Sequence, residues 1–188
     1  MRNVVVSEYV TLDGVMEDPG GVDTFKEGNW HFPFFNEDVQ KYKFTELAET
    51  DVLVLGRRTY QEFAPVWPSV TDETGYADRI NRLPKYVVST TLSQLEWNNS
   101  RLIKGDIAEA ISKLKQEDGQ DIMVFGSSEL VYQLDQQNLI DEYRILVHPV
   151  VVGHGKRLFR EGSTMQAFKL VSTQQLGSTI VALTYQAK

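Results

Sequence analysis

Two turns in this 188-residue sequence carry the residue types that bind phosphate. The apolar run Asp51–Leu55 ends in Gly56-Arg57-Arg58-Thr59-Tyr60, at the start of a helical stretch. Free backbone N–H groups at a helix start attract anions, a guanidinium grips phosphate bidentately, and Thr59 adds a hydroxyl. The alternative is a pair of solvated arginines on a surface helix. A second run, Asp121–Phe125, ends in Gly126-Ser127-Ser128 before another helical stretch. Small residues there let a ligand's phosphates approach the backbone, although Ser127 or Ser128 also suits an ordinary N-cap.

Three further segments offer chemistry. Ser89-Thr90-Thr91 follows the run Lys85–Ser89 and supplies either phosphate ligands or a turn cap. Thr11-Leu12-Asp13-Gly14 sets an acid beside a glycine after the first strand; it is a turn signal and also a place to bind an amine or a ribose hydroxyl. The segment Asn29-Trp30-His31-Phe32-Pro33-Phe34-Phe35 is rich in aromatics for a connection, and Glu37 and Asp38 follow it. Trp30 and Phe34 either wall a pocket for a flat ring or form a hydrophobic plug or subunit contact. Acids in a first helical turn ordinarily serve the dipole.

The elements that must position these residues alternate. Asn3–Tyr9, Asp51–Leu55, Lys85–Ser89 and Asp121–Phe125 are valine-rich or apolar enough for strands, and Asn36–Ala48 and Asp106–Lys115 are predicted helices. Asp106 and Glu109 have capping-box spacing, whereas the apolar side of Asn36–Ala48 is ragged. The last third reads as strands Glu142–Val151, Phe168–Leu176 and Thr179–Gln186, the last two joined through Gly177-Ser178 as a hairpin. Trp30–Asn36 and Ala64–Gly75 are long loops. The prediction is one α/β domain over residues 1–188, with a mixed, mostly parallel sheet and an antiparallel C-terminal hairpin.

Composition narrows the function. No cysteine is present, which removes disulfides, zinc ribbons and thiol nucleophiles. Twenty-six acids against 19 basic residues give a net charge of −7, opposing a nucleic-acid partner. No run approaches the roughly 20 apolar residues of a membrane span, and the N-terminus lacks a signal-peptide pattern; a cytoplasmic protein is expected. His148 and His154 lack metal-ligand spacing, so no metal is expected. No Gly-x-Ser-x-Gly elbow supports hydrolysis.

Taken in order, these landmarks resemble the dihydrofolate reductase-like superfamily, closest to the reductase domain of the riboflavin-pathway bifunctional deaminase-reductase. The likeness rests on Thr-Leu-Asp-Gly (11–14), Leu-Gly-Arg-Arg-Thr-Tyr (55–60), Lys-Tyr-Val-Val-Ser (85–89), Ile-Met-Val-Phe-Gly-Ser-Ser (122–128), Leu-Ile-Asp-Glu-Tyr (139–143) and His-Pro-Val-Val-Val-Gly-His-Gly-Lys-Arg-Leu-Phe (148–159). The resemblance implies a three-layer NADPH fold. Gly56, Arg57, Arg58 and Thr59 would hold cofactor phosphates, with Ser89 and Thr90 at the 2′-phosphate. Gly126, Ser127 and Ser128 would run beside the pyrophosphate and nicotinamide. Asp13 would lie near the nicotinamide or substrate. Trp30-x-x-Pro33 matches the segment preceding the folate acid, but the acid's place is Phe35, leaving Asp38 as the nearby candidate. The implied reaction is reduction of a small heterocycle, most like 5-amino-6-(5-phosphoribosylamino)uracil. The alternatives are a diverged or non-catalytic ligand-binding protein and a pterin or dihydrofolate reductase. The family also implies a homodimer, with Ile145–Val152 and the aromatic loop as contact surfaces.

Overall fold

The first valines form the centre of the sheet. In a computed structural model describing residues 1–21 and 25–188, β1 (Val4–Thr11) lies between β5 (Asp121–Phe125) and β6 (Glu142–His148), parallel to both. Outward from β5 come β2 (Thr50–Gly56), β3 (Lys85–Val88) and β4 (Ser100–Ile103), all parallel. On the other side β8 (Ile180–Ala187) runs antiparallel to β6, and β7 (Phe168–Leu176) pairs antiparallel with β8 at the edge. The order is β4-β3-β2-β5-β1-β6-β8-β7, a mixed, mostly parallel sheet with an antiparallel hairpin, as predicted.

Helices cover both faces. α1 (Glu37–Ala48), α2 (Arg57–Phe63) and α3 (Tyr76–Arg82) lie on one side, where Leu47, Tyr60 and Ile80 pack with Leu53, Leu55, Met123 and Phe125. α4 (Ile107–Gln116) and α5 (Ser128–Gln136) lie on the other, where Ile111, Leu114, Leu130, Val131 and Leu134 meet Val4, Val6, Val52, Val54, Ile122 and Val124. Strands bounded by helices on both faces must be apolar at every position, so β2 reads as an unbroken apolar run from Val52 to Leu55. No helix among the described residues is long and apolar enough to cross a membrane.

Several sequence motifs prove to be anchors. Asp141 accepts from the Val4 amide at 2.7 Å and pairs with Lys115 at 2.6 Å, fixing the start of β1. Tyr143 is buried and donates its hydroxyl to Asp135. Lys85 is fully buried; its ammonium donates to the carbonyls of Asn81, Leu83 and Asn98 and lies 4.3 Å from the centre of the Trp97 ring.

Three expectations need correction. α3 and β4 fall in stretches with no clear apolar period and were not anticipated. β6 ends at His148, three residues earlier than expected. Ile145 and Leu146, expected to serve a subunit contact, are buried within the chain, because β6 has neighbours on both sides.

Candidate active site

The two phosphate-type turns come together at the carboxyl edge of the sheet. β2 and β5 are in register from Val52 to Leu55, so Gly56 and Gly126 emerge side by side, and the Gly56 amide donates to the Gly126 carbonyl at 3.2 Å. Both glycines are required by proximity. A Cβ on Gly56 would lie 2.4 Å from Ser127 Oγ, and one on Gly126 would lie 2.5 Å from Thr59 Oγ1. Gly126 also has φ +51°, a backbone region that side chains disfavour. The peptide between Gly126 and Ser127 is cis. Both glycines are buried, and the space a side chain would need is taken by Ser127 and Thr59, so the two turns and the start of α2 pack directly on one another.

The helix starts at this edge differ from the others. Asn36 accepts from the first-turn amides of α1, Asp106 from that of α4, and Asp72 from those of α3. At α2 and α5 the N-cap residues, Gly56 and Ser127, make no side-chain capping bond. Amides at a helix start that lack an intrahelical partner are donors for an anion. Arg57 is exposed and bonded only to Gln61 (2.8 Å), with no acid opposite it among the described residues. Arg58 is also exposed, and Thr59 lies at the Gly126 turn. Arg160, which the sequence reading passed over, donates to Ser128 Oγ at 3.0 Å and Glu129 at 2.9 Å, placing a third guanidinium at the start of α5.

β3 extends the row, since Gly56 pairs with Val88. Ser89 is buried and its hydroxyl accepts from the amides of Thr91 and Leu92, so it holds its own turn; Thr90 is exposed beside it. Gly126-Ser127, Gly56-Arg57 and Ser89-Thr90 thus stand in sequence along one edge. Open α/β sheets bind ligands at the carboxyl ends of strands where the strand order turns back. Here the turning point lies between β1 and β5.

These strands also part there. β1 pairs with β5 only from Val4 to Val6 but continues along β6 to Thr11. Glu8 lies just past the separation, and one carboxylate oxygen accepts from the Gly126 amide. Burial pushes the Glu8 carboxyl up to about 8, against the opposing pull of that amide and of Lys43. The sequence reading did not single it out. Its signal was an acid at the inward parity of Val4, Val6 and Val10, a core position where a charge is costly.

Beneath the crevice α1 turns two charges inward. Lys43 and Glu46 are buried, 2.6 Å apart, and both bond to Ser7 Oγ, at 2.7 and 2.9 Å respectively. The ammonium lies 4.5 Å from the Phe125 ring centre and 5.5 Å from that of Tyr9.

The other candidate residues have partners of their own within the chain. Asp13 accepts from Thr11 Oγ1 and from the Val152 and Gly153 amides, with Arg157 at 3.9 Å; it ties the β1 loop to the segment after β6. The Thr11 hydroxyl is the main reason its carboxyl is held down at about 2. Asp38 accepts from the Gly177 amide at the β7–β8 turn, away from the glycine edge. Trp30 is buried, donates to the Glu17 carbonyl and meets His148 edge-on. His31 stacks on Tyr9 and bonds to His148, with 2.8 Å between ring nitrogens. Burial, then the neighbouring His148, lowers His31 to about 3. Phe34 is half-buried beside the same cluster, while Phe32 and Phe35 are exposed. The aromatic loop thus packs its interior side as a plug and leaves two rings outside.

The chain is similar to several known proteins. The curated Bacillus subtilis (strain 168) protein YyaP, itself uncharacterised, is 29% identical over 187 residues, covering 98% of this chain and 94% of that protein. Among solved structures, a putative riboflavin biosynthesis protein from Shewanella sp. PV-4 superimposes with a TM-score of 0.70 at 21% identity, covering 100% of this chain and 99% of the other. Dihydrofolate reductase from Enterococcus faecalis, complexed with NADP(H), gives 0.63 at 15% identity over 99% and 96%. The sequence profile of the RibD C-terminal domain matches residues 2–182. The chain therefore belongs to the RibD C-terminal domain family and has the dihydrofolate reductase-like fold.

Proposed function

We propose that this protein is an NADPH-dependent reductase of a small heterocyclic compound, most like 5-amino-6-(5-phosphoribosylamino)uracil reductase. The observation that carries the reading is the meeting of two glycine turns with two uncapped helix starts at one sheet edge. The residues present fit a dinucleotide. The absence of side chains at Gly56 and Gly126 lets Ser127 and Thr59 close up against the two strand ends, and Arg58, Thr59, Ser127 and Ser128 there supply donors suited to a pyrophosphate. Arg57 and Thr90, exposed on neighbouring strand ends, suit the 2′-phosphate, while Ser89 shapes their turn. When bound, the cofactor supplies the hydride; the protein must orient its ring and manage the proton.

Asp13 serves this site as a brace, because its carboxylate is bonded from several sides. Trp30 and Phe34 support the pocket wall through the plug they build with His31 and His148. A pterin substrate is less well supported than a pyrimidine. The position of the folate acid holds Phe35, and Asp38 is engaged at the hairpin turn. A homodimer formed through surfaces other than β6 belongs to the same reading.

The test is a titration of the purified protein with NADPH and NADH, followed by tryptophan quenching. Micromolar NADPH binding is expected, with NADH at least about tenfold weaker, a difference of about 1.4 kcal/mol. Arg57→Ala should erase most of that preference. No binding of either nucleotide would refute the reading, and equal loss of both in Arg57→Ala would remove Arg57 from the 2′-phosphate.

A further inference from the structure

We infer that Glu8 is the acid of this site, giving its carboxyl proton to the substrate atom that gains the electron pair as its neighbouring carbon receives hydride. The inference rests on the reductase reading and extends it to a residue outside the phosphate-binding turns. Position supports it first. Glu8 stands where β1 parts from β5, one oxygen on the Gly126 amide, at the end of the glycine edge. Its second oxygen makes no hydrogen bond among the described residues, and the residue is intermediate in exposure, not closed off as Glu46 is.

The other acids of the neighbourhood are committed. Asp13 is tied to Thr11, two amides and Arg157. Glu46 holds Lys43 and Ser7 with one oxygen; its other oxygen makes no hydrogen bond among the described residues, but the residue is only 2% exposed and closed to a ligand. Glu17 holds the Lys156 ammonium and amide. Glu37 is exposed opposite Lys41, and Asp38 holds the hairpin turn.

Charge state supports it second. A proton donor must be neutral at working pH, and enzymes keep a carboxyl neutral by desolvation. The charged groups that act on Glu8 are Lys43 and Glu46, both from α1, and their effects oppose each other; Tyr9 is its neighbour on β1, and the turn after β5 contributes the Gly126 amide. Burial outweighs this set and holds the carboxyl at about 8.

The step balances. The bound cofactor would supply hydride from its dihydronicotinamide C–H bond, and a C–H bond would form on the substrate's polarised C=N or C=O carbon. The π pair moves to the heteroatom, and the Glu8 O–H bond breaks to protonate it. The substrate is reduced, the cofactor oxidised to a pyridinium, and the Glu8 carboxylate recovers its proton from water.

One consequence needs no substrate. A pyridinium beside Glu8 favours the carboxylate, whereas the neutral dihydronicotinamide does not. Binding of NADP⁺ to the full-length protein at pH 7 should therefore release close to one more proton than binding of NADPH, measured by calorimetry in buffers of different ionisation enthalpy. The 2′-phosphate is common to both nucleotides and cancels. As pH rises towards 8, NADP⁺ affinity relative to NADPH should climb by up to tenfold per pH unit, levelling off above it. In Glu8→Gln the excess release should vanish and the ratio become flat with pH. Equal release for the two nucleotides, or an excess that survives in Glu8→Gln, would overturn the assignment. Should Glu8→Gln fail to fold, difference infrared spectra of the wild type decide it: a neutral carboxyl band must disappear on adding NADP⁺ and persist with NADPH. Failure to bind either nucleotide would reject the reductase reading itself, and this inference with it.

Discussion

Gly56→Ala probes the glycine edge directly, because nothing about the backbone at Gly56 forbids alanine. Its φ is −71°, so the substitution adds only a methyl group. That methyl would meet Ser127 Oγ at 2.4 Å and the Ser127 amide nitrogen at 2.9 Å. The hydroxyl can rotate away. The amide cannot move without shifting the Gly126–Ser127 turn. Overpacking of this kind costs about 1–3 kcal/mol, and in a chain of this size each kcal/mol lowers Tm by about 2–4 °C. The same shift moves the donors proposed to hold pyrophosphate, so NADPH affinity should fall by about tenfold or more, equivalent to about 1.4 kcal/mol. Gly105→Ala is the matched control, since a Cβ there meets nothing within 4 Å; its stability should stay within about 0.5 kcal/mol. Scanning fluorimetry and NADPH titration on both variants give the answer. If Gly56→Ala melts lower yet binds NADPH like wild type, the edge is a packing feature and not a cofactor cradle. If it behaves like Gly105→Ala in both assays, the steric argument fails as well.

Two predictions concern the residues around this edge. Lys43→Met should cost about 3–5 kcal/mol in urea unfolding, because it strands Glu46 in the interior. Lys43→Met combined with Glu46→Leu should recover most of that loss, and a double variant no better than the single would show that the pair is not the source. Asp13 has its carboxyl at about 2 instead of 3.8, a depressed value, so its contribution is present above about pH 4 and lost as pH falls towards 2. Discounted for its partial exposure, Asp13→Asn should cost about 1–2 kcal/mol at neutral pH and almost nothing at pH 2; identical urea midpoints at pH 7 would refute the bracing role.

Local sequence determined most of the scaffold. Runs such as Val52–Leu55 and Ile122–Phe125 can be satisfied only between two helical layers, so their burial was legible from composition. The capping spacing of Asp106 and Glu109 marked the start of α4, and Asp106 indeed accepts from the Glu109 amide. Glycines at 56, 126 and 177 announced the turns after β2 and β5 and the C-terminal hairpin. The ragged apolar side of α1 was also a true signal, although its meaning was hidden: the helix turns Lys43 and Glu46 inward beside Val39 and Leu47. A linear pattern shows a polar residue at a core position but not the partner that makes burial tolerable.

Tertiary structure alone decided the site. Gly56 and Gly126 are 70 residues apart, and only the insertion of β5 between β1 and β2 sets their turns against one another. Asp13 and Asp38 looked equivalent as acids near a loop. Their partners, the Val152–Gly153 amides and the Gly177 amide, lie 139 or more residues away in sequence and convert both into braces. Glu8 needed the same information in reverse. Desolvation depends on what surrounds a carboxyl in three dimensions, and the parting of β1 from β5 is a property of strand order. Residue types set what chemistry each position can do; long-range packing selects the few positions where it is done.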